Sequence, residues 1–134
     1  MSLNFARLNP PVLVLITDRH VAGGAAALVD AVDEAVDGGV TAVQLREKDL
    51  PPEELIPLVR RLRAVTLDQA ALIVNGPLEV AVAAEADGVH LPEDAPMVKR
   101  PPRPFLIGRS VHSLDAAKAA WEWSRAAKSS AAPR

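Results

Sequence analysis

Five short apolar runs, each closing on polar residues, limit what this chain can fold into. They occupy residues 12–17, 41–46, 71–74, 88–91 and 105–111. The 12–17 run reads as a strand buried on both faces, the pattern of a parallel sheet. Between the first two runs, Leu28, Val29, Val32, Ala35 and Val36 recur at helical spacing over residues 25–37, with Asp30, Asp33, Glu34 and Asp37 on the wet side. Gly38-Gly39 supply that helix's end. A second helix starts at Pro51-Pro52-Glu53-Glu54, with proline and acids in its first turn. Leu55, Ile56, Leu58, Val59 and Leu62 form its inner face, and Arg60, Arg61 and Arg63 are solvated. A short helix follows over 78–85. Ser113 caps a last one over 114–127, with Asp115 in its first turn. Residues 92–104 carry five prolines in thirteen positions and read as an irregular surface connection. The count is five strands and four or five helices in strict alternation. Alternation does not separate an open sheet from a barrel.

Composition narrows the class. The 134 residues make one domain with a real core over about 12–127 and a fraying tail at 128–134. The apolar stock is Ala, Val and Leu, with two Phe and two Trp, which is an α/β composition. No apolar run approaches the roughly 20 residues of a membrane span. The chain has no cysteine, which removes disulfide and thiolate chemistry and fits a cytoplasmic setting. A net charge of −2 argues against a general nucleic-acid surface.

The polar residues collect at strand ends, where parallel α/β folds carry their sites. Gln44, Arg46 and Lys48 are spaced by two, so on an extended chain they point the same way. Two readings fit: a cradle for an anion, most naturally a phosphate, or a strand end with ordinary surface charges and Glu47 pairing locally. His112 stands between a strand end and a helix start, where an imidazole moves protons near neutral pH or simply serves the helix cap. His90 reads as a satisfied core histidine and His20 as an exposed loop residue. Asp94, beside Glu93, is the best single metal-ligand candidate, although loop carboxylates are commonly just solvated. Asp87-Gly88 reads as turn chemistry. Lys99, Arg100 and Arg103 read as solubilising surface. Trp121 and Trp123, two apart on a helix, cannot share a face, so one is exposed or covered by a partner. There is no P-loop, GxGxxG or nucleophile elbow.

Taken in order, Leu15-Ile16-Thr17-Asp18, Val43 to Lys48, Leu72-Ile73-Val74-Asn75, Ala86 to Leu91 and Ile107 to His112 resemble the thiamine phosphate synthase/TenI superfamily over about residues 12–120. The resemblance implies a (β/α)₈ TIM barrel, here about five of its eight parallel strands, and a role in making thiamine. It implies that Gln44, Arg46, Lys48, Asn75 and Ser110 hold phosphorylated thiamine precursors. It implies Mg²⁺ at two aspartates, of which Asp94 matches one while Gly76 replaces the other. Losing one carboxylate weakens metal binding by about an order of magnitude or more. The Arg46-Glu47-Lys48 and Gly108 to Ser113 spellings resemble the metal-free thiazole phosphate tautomerases, which makes His112 the catalytic candidate.

The reading that follows is a tautomerase. The alternatives are a thiamine phosphate synthase, or a non-catalytic phosphate-binding fragment. The last three family strands are missing from the pattern, so the domain reads as truncated. Two open edges and an uncovered apolar face then call for a homo-oligomer or a partner, with no nucleic acid and no membrane.

Overall fold

A computed structural model describes residues 10–130, with side chains through residue 126. Its five strands are β1 (Val14–Ile16), β2 (Ala42–Leu45), β3 (Ala71–Asn75), β4 (Gly88–Leu91) and β5 (Leu106–Arg109). They pair in parallel in sequence order, β1-β2-β3-β4-β5. Right-handed crossovers in that order place every connecting helix on the same face. One face of the sheet is therefore covered and the other open, the arrangement of a TIM-barrel wall.

The helices are α1 (Arg19–Ala22), α2 (Ala25–Asp37), α3 (Pro52–Thr66), α4 (Leu78–Ala83) and α5 (Leu114–Ser130). Gly23-Gly24 and Gly38-Gly39 bracket α2. Gly39 has φ 114° and lets the chain leave the helix towards β2. On the covered face, Val43, Leu45, Leu72, Val74 and Val89 meet Leu28 and Val32 of α2, Leu55, Val59 and Leu62 of α3, and Val80 of α4. Ser113 caps α5 as read from the sequence: its hydroxyl accepts the Ala116 N–H at 3.1 Å. α5 continues to Ser130, beyond 127, and residues 131–134 lie outside the described residues.

Three expectations change. Alternation is not strict: two helices separate β1 from β2, and none separates β4 from β5. β1 is not buried on both faces, because it is an edge strand on a sheet open to one side. Val14 and Ile16 are about half exposed, while Leu15 between them packs on the core. The basic run in 92–104 is exposed at Lys99 and Arg103, as read, but its two arginines also hold the backbone. Arg103 donates to the Ala86 carbonyl at 2.9 Å and lies over the Phe105 ring, and Arg100 donates to the Phe105 carbonyl. Trp121 is exposed and Trp123 half-buried, the division their spacing required.

Asp87 joins β3 to β4 rather than merely turning the chain. Its carboxylate accepts the Leu72 N–H at 2.8 Å, and its own N–H donates to the Leu72 carbonyl at 2.8 Å. Burial pushes its carboxyl pKa above the ordinary 3.8, against the pull of that N–H and of Arg63 and Arg103. A carboxyl raised in the folded state binds its proton more tightly there than when unfolded. Stability therefore declines as pH rises from about 3.8 through the folded value, and stays lower above it. Asp87→Asn keeps an acceptor for Leu72 and removes the charge. Thermal midpoints between about pH 4 and pH 6 should fall less for Asp87→Asn than for the parent chain. Equal slopes would refute the assignment.

Candidate functional site

The parallel register puts one residue from each strand end on the open face. Ile16 aligns with Gln44, and Gln44 with Ile73; one step of two further on, Asn75 aligns with His90 and His90 with Gly108. The row is hydrogen-bonded in pairs. Asn75 Nδ2 donates to Gln44 Oε1 at 3.2 Å, and His90 Nε2 lies 2.9 Å from Ser110 Oγ. Gln44, Asn75 and Ser110 thus lie on one face, bonded in pairs through His90 and each other.

His90 joins them and was missed. It is a half-buried open-face residue, not a core histidine. Desolvation lowers its pKa below the ordinary imidazole value, so the ring is neutral at pH 7. A Cβ at position 108 would sit 2.7 Å from His90 Nδ1, so glycine there makes room for the ring. The period-two spacing of Gly88 and His90 carried the signal, but it could be read only once the register was known.

Arg46 and Lys48 are exposed on either side of a buried residue, Glu47. Glu47 accepts from Thr17 Oγ1 at 2.7 Å, from the Arg19 N–H at 2.8 Å and from Arg19 Nη1 at 3.2 Å. The Thr17 hydroxyl oxygen in turn accepts the Arg46 N–H at 3.0 Å. Asp49 grips Arg19 from the far side with two bonds of 2.7 Å. Its carboxyl is held well below the usual carboxylate range by Arg19, and it raises the guanidinium further. His20 is exposed, as read, and bonds Asp49 at 3.1 Å. Lys48 borders two hollows. One, of about 440 Å³, is largely apolar and lies among Leu55, Asn75, Gly76, Leu91 and Val98. The other, of about 580 Å³, lies among Asp18, His20, Arg46 and Asp49.

The magnesium expectation fares differently. Asp94 is exposed, and Gly76 brings no donor side chain. Glu93 is committed to His112, bonding its N–H at 2.9 Å and its Nδ1 at 2.8 Å. Among the described residues no three His, Asp or Glu side chains converge to hold a metal ion. His112 also stands apart from the Gln44–Ser110 row, its ring three-quarters exposed and held by Glu93.

The family model described as thiamine monophosphate synthase matches residues 13–127. A putative thiamine-phosphate synthase 2 from Aquifex aeolicus is 43% identical over 112 residues, covering 81% of this chain and 59% of the relative. A putative thiamine-phosphate synthase from Geobacter sulfurreducens is 47% identical over 115 residues, covering 81% of this chain and 53% of the relative. The solved thiamine phosphate pyrophosphorylase from Pyrococcus furiosus superposes with a TM-score of 0.68 at 33% identity, covering 84% of this chain and 55% of that one. The chain spans a little over half the length of these curated relatives.

Removing Glu47 strands a buried hydroxyl and an N–H. Glu47→Ala should cost about 2–4 kcal/mol in urea unfolding, and Glu47→Gln, which keeps an acceptor, clearly less. A change below about 0.5 kcal/mol for the alanine variant would place Glu47 among ordinary surface charges.

Proposed function

The chain belongs to the thiamine monophosphate synthase family, and on that premise we propose that it binds a pyrimidine diphosphate at the open-face cradle and serves its joining to a thiazole phosphate. In that transfer the bond from the pyrimidine's carbon to the diphosphate oxygen breaks, and its electron pair leaves with diphosphate. A carbon–nitrogen bond to the thiazole forms in its place. Charge therefore builds on the leaving diphosphate, where fixed positive charge and N–H donors help most.

The observation that carries the reading is the row Gln44, Asn75, His90 and Ser110, with Arg46 and Lys48 turned outwards beside it by buried Glu47. Arg46 and Lys48 supply charge, and Gln44, Asn75 and Ser110 supply orientation. The relatives compared are synthases by name, which supports joining over the tautomerase reading drawn from the Arg46-Glu47-Lys48 spelling. Magnesium would reach this cradle with the diphosphate, Asp94 being the side chain that offers it a carboxylate. A cytoplasmic setting, and an association that covers the half-exposed Val14 and Ile16 of the free β1 edge, belong to the same proposal.

Isothermal titration with the pyrimidine diphosphate and with the thiazole phosphate, each with and without Mg²⁺, tests it. The diphosphate is expected to bind. Arg46→Ala and Lys48→Ala are each expected to weaken it about tenfold or more, the worth of a charge-assisted contact. Position 76 admits a Cβ at ordinary contact distance from Val74 and Leu55. Gly76→Asp should therefore increase the Mg²⁺ dependence. Metal-independent binding of the thiazole phosphate alone would turn the assignment to the tautomerase. Heat from neither ligand would leave a fragment that cannot bind by itself.

A further inference from the structure

His112 is an exposed side chain, yet its position is fixed twice. Both oxygens of Glu93 are used on it, Oε1 on the backbone N–H at 2.9 Å and Oε2 on ring Nδ1 at 2.8 Å. Glu93 itself lies on an irregular loop that would not hold a side chain still. Arg109, the last residue of β5, supplies what the loop lacks. Its guanidinium donates to the carbonyls of Pro92 and Glu93 at 3.3 Å each, Ala95 at 2.6 Å and Pro96 at 3.1 Å. One rigid fork gathers four carbonyls of a segment with no secondary structure.

We propose that Arg109 and Glu93 form a two-tier brace that presents His112 as a proton acceptor at the mouth of the sheet. A carboxylate accepts and does not donate, so the neutral ring must carry its proton on Nδ1. Nε2 is then a lone pair. It has no partner among the described residues and opens to solvent two residues beyond Ser110. A carboxylate fixing an imidazole tautomer is the arrangement by which a histidine takes a proton from a bound molecule. The matching ligand chemistry is an N–H, O–H or acidified C–H beside a bound phosphate. Glu93 and Arg109 are positioning residues, and neither needs to touch the ligand. The brace is independent of which phosphorylated compound the cradle takes, so its failure and the failure of that assignment are separable.

The test is the tautomer of His112, read from long-range ¹H–¹⁵N correlations of the full chain at about pH 8.5, roughly two units above the ordinary imidazole pKa. The three histidines are distinguished by a His112→Gln spectrum. The parent chain is expected to show His112 as the Nδ1–H tautomer. Glu93→Ala should shift the ratio about fivefold towards the mixture of an unheld ring, and Glu93→Gln, which keeps an acceptor, should restore most of it. Arg109→Lys, which cannot span four carbonyls, should loosen the ring with Glu93 still present. A mixed His112 in the parent chain, or a ratio unmoved in Glu93→Ala, overturns the proposal. A ratio unmoved in Arg109→Lys overturns its Arg109 tier.

Discussion

Among the described residues, Glu47 is the one charged side chain that is buried, and the cradle's geometry depends on it. A carboxylate taken out of water is costly unless its oxygens are satisfied. Glu47 meets that condition with the Thr17 hydroxyl, the Arg19 N–H and the Arg19 guanidinium, all from the segment that leaves β1. The consequence is geometric. With residue 47 buried, its neighbours are left exposed, Arg46 directly after β2 and Lys48 in the turn that follows. The alternating charges of Arg46-Glu47-Lys48 are therefore not a solvated patch. The acid is an anchor, and the two bases are what it positions.

A different problem is solved between β4 and β5. A crossover helix satisfies its own backbone, and the other crossovers use one. Residues 92–104 have none, and each of their five prolines removes an N–H while keeping a carbonyl. Carbonyls then outnumber donors. Arginine has five N–H donors and no acceptor, which is the complement required. Arg100, Arg103 and Arg109 between them reach carbonyls of Phe105, Ala86 and four loop residues. Arg109, at the end of β5, meets the loop's own carbonyls, while Arg100 and Arg103 tie the loop to its flanks at Phe105 and Ala86, so it is held by side chains where a helix would have held itself.

This explains which parts of the molecule could be read from sequence. The strands and helices were legible because each carries its own period. The bounds of α2 at 25–37 follow from two glycine pairs, and β4 at 88–91 from its flanking turn residues. The Gln44–Asn75–Ser110 grouping was legible through resemblance and strand-end position. What failed needed knowledge of neighbours. β1 is uniformly apolar, so its composition said buried, whereas its place at the edge of an open sheet leaves Val14 and Ile16 half exposed. His90 looked like core because its sequence neighbours are core. Only the register with Asn75 and Gly108 shows that it faces the other way. Arg100 and Arg103 looked like surface alone because the carbonyls they reach, at Phe105 and Ala86, are known only from the loop's path.

The open-face row also has a polarity that bears on what it can hold. Asn75 spends a donor on Gln44 Oε1, so the glutamine's acceptor is occupied and its two N–H donors are left without a partner among the described residues. His90 is kept neutral by desolvation, so the row carries no positive charge of its own at pH 7. Gln44 offers its two N–H donors from within the row, and the formal charge is set apart on Arg46 and Lys48. An anion would find neutral donors already oriented by each other, with two cations at the rim to offset its desolvation. Because the pairs form without a ligand, little side-chain entropy remains to be lost when one arrives, and preorganisation of that kind is where binding energy is most readily retained.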